Sequence, residues 1–395
     1  MKKLMILGAS YSQLPLYEAA RQLGAATVAA STPGDWPGFD VADESVYADI
    51  TDPEAILAAA QEKGIDGIAT CCLDAGVRAL GYTCEKMGLI GPSARAADIS
   101  NDKFKMKEAF MARGVQCARH ICIHSLEELE EALEKLEFPV VLKAVDLMGS
   151  RGIFRCNTRE ETFFYYNKTM EATRKDYCLV EEFIEGQVLG CEAMIRDGRL
   201  LYCLPNNIEA FQSYVPTPIG HSVPYRKQEE LGAEVRHQVE LAIKAVGLDN
   251  CPVNCDLIEK DGKIYVIEIT GRAGGTCLPE MVSIYYGINY YEAIVRLALG
   301  MDVEEMFRGK TAGVANLSRT LLSEKVGVVK AIHNENEPAE DIVNLSFNIT
   351  PGEEVHHYTN GRDRLGQVIL RGESLESCEK RLQEILSKIN IEFTV

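Results

Sequence analysis

The chain has 395 residues, too many for one compact core, and the length points to two or three domains. Its apolar share of 46% is ordinary for a soluble globular protein, while 41 basic against 59 acidic residues leave a net charge of −18. That balance argues against nucleic acid and against an anionic membrane surface, which both need a basic patch, but it leaves room for a local basic pocket that takes phosphates.

The start, Met1-Lys2-Lys3-Leu4-Met5-Ile6-Leu7-Gly8, imitates a signal peptide, but its apolar run is short and Glu18 and Arg21 soon interrupt the helix that follows. The run reads instead as a buried first strand, Lys3–Leu7, and no apolar stretch is long enough to span a membrane. A tight turn at Gly8-Ala9-Ser10 leads to a helix over Gln13–Leu23 closed by Gly24. Then come a strand at Thr27–Ala30, a helix at Pro53–Lys63 and a strand at Gly67–Cys72. Strands separated by helices of this length imply a parallel sheet with helices on its faces over residues 1–97. The Gly8 turn invites a dinucleotide reading, but the two further glycines that fingerprint needs are replaced by Ser10 and Gln13.

From residue 98 the texture changes. A helix is expected over Asp102–Arg113, capped by Asn101 or Ser100, and another over Leu126–Lys135. The strand Pro139–Ala144 runs into a glycine loop, Met148-Gly149-Ser150-Arg151-Gly152-Ile153, of the kind whose backbone N–H groups nest an anion. No Gly-Lys-Ser/Thr follows, so it is not a Walker loop, and a plain turn would use the same residues. A strand ends at Leu179-Val180-Glu181-Glu182, and a helix at Asn289–Leu299 closes on Gly300. Residues 301–395 read as a small α+β unit with strands at Gly313–Leu317 and Gln367–Arg371 and a helix at Ser374–Lys388. The 13 cysteines contain no Cys-x-x-Cys pair, and many sit in apolar runs; an odd count without a secretion signal fits a reducing, cytoplasmic setting.

The stretch Cys255–Arg272 carries the sharpest chemical signal. Asp261-Gly262 between two apolar runs marks a hairpin, with Asp256 and Glu268 at the same end and Arg272 just beyond. Two hard oxygen ligands beside a guanidinium make a magnesium–phosphate platform, although two water-facing strand-end acids would look the same. A strict two-residue turn sets Asp256 opposite Ile267 and sends the two carboxylates to opposite faces. Sharing a metal therefore requires an odd loop or a β-bulge, and such an irregularity is expected here.

Taken in order, the glycine loop, the Glu181 segment and this hairpin resemble the ATP-grasp superfamily. Its members include biotin carboxylase, carbamoyl-phosphate synthetase, D-alanine–D-alanine ligase and the bacterial L-amino-acid ligases. The resemblance covers residues 1 to about 300, and the last segment, with Arg364-Leu365-Gly366 and a closing helix, is most similar to the L-amino-acid ligases. It implies an α/β fold with α+β lobes: a Rossmann-like N-terminal parallel sheet (1–97), a two-lobed ATP-grasp domain (98–300) and a small C-terminal α+β domain (301–395).

The resemblance also implies roles. Lys103 matches the lysine for the α-phosphate, with Lys105 and Lys107 as neighbours that could be confused with it. Lys143 ends an apolar strand, where an unpaired ammonium is expensive to bury and a phosphate partner is attractive. Gly149, Ser150, Arg151 and Gly152 would fold over the β- and γ-phosphates, and Glu181, Glu182, Phe183 and Ile184 match the adenine-binding hinge. Asp256 and Glu268 match the magnesium ligands, with Thr270 where the family usually has Asn, and Arg272 matches the arginine on the transferred phosphoryl group. Val188 stands where a ribose-binding Glu is usual. Gly274 and Gly275 fall on a loop that shapes the acceptor pocket, and His221 in Gly-His-x-x-Pro resembles a substrate contact. The implied cofactors are ATP and Mg2+, with Mn2+ as an alternative.

The implied function is a carboxylate–amine ligase that makes an amide through an acyl phosphate and releases ADP and phosphate. Its partners would be a small-molecule carboxylate, with an amino acid foremost, and an amine; a homodimer is left open. Two alternatives stand beside it: a bicarbonate-phosphorylating enzyme of the carboxylase or carbamoyl-phosphate type, and a non-catalytic nucleotide-binding protein.

Overall fold

Four of the first strand's five residues are fully buried because the strand lies inside a parallel sheet covered on its faces, as a continuous apolar run requires. In the computed structural model, which describes residues 1–147, 149, 151–211, 217–310, 313–323, 325–358 and 363–394, this sheet has the order β3-β2-β1-β4. Its strands are β1 (Lys3–Leu7), β2 (Ala26–Ser31), β3 (Glu44–Tyr47) and β4 (Gly67–Ala69), all parallel. The first strand and the helix Pro53–Lys63 fall where the sequence places them; β4 stops at Ala69 rather than Cys72.

A second, antiparallel sheet follows with the order β5-β8-β6-β7: β5 (His120–Ile123), β6 (Val140–Ala144), β7 (Ile153–Cys156) and β8 (Cys178–Glu182). The helix before it starts at Lys103 and is capped by Asp102, not by Asn101 or Ser100. The Asp102 carboxylate accepts from the Phe104 and Lys105 N–H groups, which its extended φ of −133° allows.

The chain forms two compact units. The first holds residues 1–205, 227–275 and 289–309. It contains both sheets above, the strand β9 (Gln187–Arg196) and the start of β10 (Arg199–Phe211). The chain passes along β10 into the second unit, where β11 (Thr217–Val223) lies, and returns through the long helix Gln228–Val246 to the hairpin β12 (Cys251–Lys260) and β13 (Lys263–Thr270). β12 pairs antiparallel with both β9 and β13.

The second unit is residues 206–226, 276–288 and 310–395. There β11 pairs with β14 (Ala315–Leu321), which starts two residues and ends four residues beyond the strand expected from sequence. The strands β15 (Gly327–Asn334), β16 (Ile342–Phe347), β17 (Glu354–Val355), β18 (Gly366–Gly372) and β19 (Ile389–Phe393) follow, with β18 between β14 and β16. A helix at Leu375–Ser387, capped by the Ser374 hydroxyl, packs Cys378, Leu382 and Ile385 into an apolar core with Leu317, Val368 and Leu370. No helix among the described residues is long and apolar enough to cross a membrane.

Candidate functional site

The hairpin β12–β13 decides the site. Asp261 and Gly262 both have positive φ (51° and 75°), the signature of a two-residue turn that matches strand twist, and glycine fits its second position without strain. Lys260 opposes Lys263 and Leu257 opposes Val266, as such a turn dictates. Between Asp256 and Leu257 the register then shifts, so that Asp256 opposes Glu268 and Ile267 is the extra residue of a β-bulge. The irregularity expected from the spacing is present, and directly opposed residues of an antiparallel pair share a face.

Two rows of side chains result. Gly190, Asp256 and Glu268 align across β9, β12 and β13, and Glu192, Asn254 and Thr270 form the neighbouring row. Burial pushes the Asp256 carboxyl up to about 7, and the charge of Glu268 adds to the push. Two carboxylates set opposite each other on one face, one of them buried, fit a divalent cation, with Thr270 as a third oxygen close by. Among the described residues no group of three His, Cys, Asp or Glu side chains is arranged to hold a metal, so this pair would need oxygens from a phosphate to complete a shell.

Of the three neighbouring lysines, the fold separates the roles that the sequence left open. Lys103 Nζ lies 3.2 Å from Glu268 and 2.8 Å from the Leu147 carbonyl, at the metal end and beside the entry to the glycine loop. Lys105 turns away to Asp98. Lys107 is buried, its side chain 2% exposed, and sits 3.3 Å from Glu181. Lys143 lies 2.9 Å from the same carboxylate. The carboxylate partner of Lys143 is therefore Glu181, a side-chain contact that motif spacing does not show. Burial alone would raise the Glu181 carboxyl, but Lys107 and Lys143 outweigh it and hold it down at about 2. Burial, with the charge of Lys107 beside it, lowers Lys143 despite Glu181.

In the glycine loop, Gly149 and Gly152 both adopt positive φ (63° and 66°), and a Cβ on Gly152 would stand 2.7 Å from that of Ala144. Arg151 is exposed. Ser150 lies outside the described residues. In the Glu181–Ile184 segment, the Phe183 N–H donates to the Pro139 carbonyl, and the Arg155 guanidinium lies over the Phe183 ring at 4.2 Å. Glu182 pairs with Arg119 at 3.0 Å, and Ile184 is half-buried.

Arg272 is fixed before any ligand arrives. Its Nε and one terminal nitrogen donate to the two oxygens of Asp74 at 2.7 and 2.6 Å. Its other terminal nitrogen donates to the Ala273 carbonyl at 3.0 Å and reaches Asn254 at 3.4 Å. Asp74 follows β4, and the Cys72 N–H bonds the Ala273 carbonyl, so the N-terminal sheet clasps the segment after β13. Burial would raise the Asp74 carboxyl, but Arg272 keeps it below its ordinary value.

Gly274 donates its N–H to both oxygens of Glu192, at 3.1 and 3.2 Å, and Asn254 donates to Glu192 at 2.8 Å. Burial pushes the Glu192 carboxyl up to about 8. Around Gly275 a Cβ would meet nothing within 4 Å. His221 belongs to the second unit. Its Nδ1 is 2.9 Å from the Asn206 side-chain oxygen, and burial lowers it to about 4, so the imidazole is neutral.

Sequence reasoning missed Asp74, Glu192 and Asn254, and it named Lys107 only as a neighbour of Lys103. Glu192 left a trace, since one acid in the apolar run Leu189–Ile195 is costly to bury without purpose. Asp74 left none, because its partner is 198 positions away.

Residues 100–276 match the model of the ATP-grasp domain, and residues 319–394 match the L-amino acid ligase C-terminal domain 2. A solved structure titled phosphoribosylglycinamide synthetase, from Anaerococcus prevotii, is 40% identical over the whole of both chains, with a TM-score of 0.85. An L-amino acid ligase from Bacillus licheniformis shares the fold over 100% of this chain and 99% of its own, at 20% identity and a TM-score of 0.86. Alanine–anticapsin ligase of Bacillus subtilis is 25% identical over 276 residues, 64% of this chain and 58% of that protein. The chain spans between 30 and 65% of the length of the first curated relatives it matches. The match over residues 100–276 and the 40% identity over the whole of both chains place the chain in the ATP-grasp superfamily.

Proposed function

We propose that the protein joins a carboxylate, in the first place that of an amino acid, to an amine, through an acyl phosphate made from ATP. The observation that carries this reading is the β-bulge at Ile267, which sets Asp256 opposite Glu268 with Lys103 and Arg272 beside them. Phosphoryl transfer asks little covalent help of a protein; it asks for positioning and charge. Asp256, Glu268 and the Thr270 oxygen would hold Mg2+, or Mn2+ in its place. Bound there, the cation neutralises charge on the β- and γ-phosphates. Lys103 and Lys143 bind phosphate oxygens, the Gly149–Gly152 backbone covers them, and the Glu181–Ile184 segment receives adenine. Arg272, held by Asp74, presents its remaining N–H to the transferred phosphoryl group or the acyl phosphate. Gly274 and Gly275 border the acceptor.

The working division at 1–97, 98–300 and 301–395, a cytoplasmic location and a dimeric assembly go with this reading. The match of residues 319–394 favours an amino-acid substrate. The relative titled phosphoribosylglycinamide synthetase supports a narrower reading, in which glycine is the acid and a phosphoribosyl amine the acceptor. The test is a hydroxamate trap with ATP, Mg2+, hydroxylamine and a panel of amino acids, glycine included. Hydroxamate and phosphate from one acid identify the acyl donor. ADP release stimulated by bicarbonate alone replaces this reading with the carboxylase type, and tight ATP binding without turnover on any acid replaces it with a nucleotide-binding role.

A further inference from the structure

Glu192 is 1% exposed and takes part in none of the ion pairs among the described residues. Its hydrogen-bond partners, the Gly274 N–H and the Asn254 amide, are both neutral. The charged and titratable groups that face it are Arg272, already committed to Asp74, the Asp256 carboxyl on the adjacent strand, the Tyr290 phenol and the Cys191 and Cys255 thiols, which burial keeps protonated. A carboxylate buried without a cation is costly, and such a group persists where a ligand supplies the missing charge. Glu192 lies on the same face of β9–β12–β13 as Asp256 and Glu268, one row away. It also holds the loop residue next to Gly275, beside which there is open space.

Resting on the ligase reading above, we propose that Glu192 receives the ammonium group of the acceptor and takes its first proton. One N–H bond of the ammonium breaks, and that proton goes to a Glu192 oxygen. The freed lone pair forms the C–N bond at the acyl carbon while the C–O bond to phosphate breaks with its electrons on phosphate. The second nitrogen proton goes to the departing phosphate, which leaves as hydrogen phosphate. Only amines that arrive protonated need this residue. Hydroxylamine is already neutral at neutral pH and does not.

The test compares two products from the full-length protein with ATP, Mg2+ and common amino acids offered as both acid and amine. In Glu192→Gln, hydroxamate formation is expected to stay within about threefold of the unchanged protein, while amide formation falls roughly a hundredfold, as loss of a positioned base requires. The glutamine oxygen still accepts from Gly274, so a purely structural role predicts equal rates for both products. An equal fall in hydroxamate and amide overturns the assignment while leaving the ligase reading intact. No hydroxamate from the unchanged protein with any acid removes the ligase reading and this inference with it. Should Glu192→Gln fail to fold, Glu192→Asp decides the same ratio: the carboxylate is kept but drawn back, so amide formation must again fall further than hydroxamate formation.

Discussion

Two buried charge clusters of the first unit differ in balance. Around Glu181, one carboxylate meets two lysines, Lys107 and Lys143, at contact distance. Around Asp256, the acids Asp256, Glu268, Asp74 and Glu192 outnumber the cations paired with them among the described residues, Lys103 on Glu268 and Arg272 on Asp74. The first cluster is electrostatically complete, with an extra positive charge to offer a phosphate. The second has an excess of carboxyl groups, which a proton, a bound cation or an ammonium group can relieve. On the proposed reading, one sheet would supply the anion-binding end and the bulged hairpin the cation-binding end, the division that a metal nucleotide needs.

The contrast breaks most sharply at the acidic end. Glu268→Gln is expected to lower ATP turnover roughly a thousandfold while leaving the melting temperature nearly unchanged, because the side chain is 40% exposed. A steady-state phosphate assay together with a thermal melt checks both halves.

At the balanced end the ranking reverses, with stability at risk ahead of chemistry. Glu181→Gln leaves two buried ammonium groups side by side, and urea titration should show a loss of about 3 kcal/mol. The pH dependence has a fixed sign. The Glu181 carboxyl is held at about 2 against an ordinary 4.5, so its stabilisation is fully present above 4.5 and is lost as pH falls toward 2. That limb of the acid melt should be missing from the variant.

Added Mg2+ sharpens the comparison from the other side. Below about 7 the Asp256 carboxyl keeps a proton that a cation must displace. Titrating Mg2+ into the protein should therefore raise the melting temperature more at about pH 8 than at about pH 6. Equal shifts would show that the cation binds elsewhere. The smallest effect is expected at the hairpin tip. Gly262→Ala, at a φ of 75°, should cost about 1 kcal/mol by denaturant melt, with turnover retained if the bulge at Ile267, rather than the turn, sets the register.

Much of this was legible from the chain. The strand Lys3–Leu7, the helix Pro53–Lys63 and the hairpin around Asp261-Gly262 follow from local patterns of apolar residues and turn formers. Even the bulge was required by counting, since 256 and 268 are symmetric about 262 and an even turn cannot oppose them. The helix cap was misplaced by one or two residues because Ser100, Asn101 and Asp102 are all capable caps, and only the observed backbone picks Asp102.

What the sequence by itself determined is the order of elements and which acids, lysines and glycines stand at their ends. Those depend on hydrogen bonds and side-chain periods spanning a few residues. The tertiary structure alone decided which charge meets which: Lys143 with Glu181, Arg272 with Asp74, and Glu192 with the Gly274 N–H. These partners lie 38, 198 and 82 positions apart, and burial sets the energy of each pairing, so no local pattern can encode them.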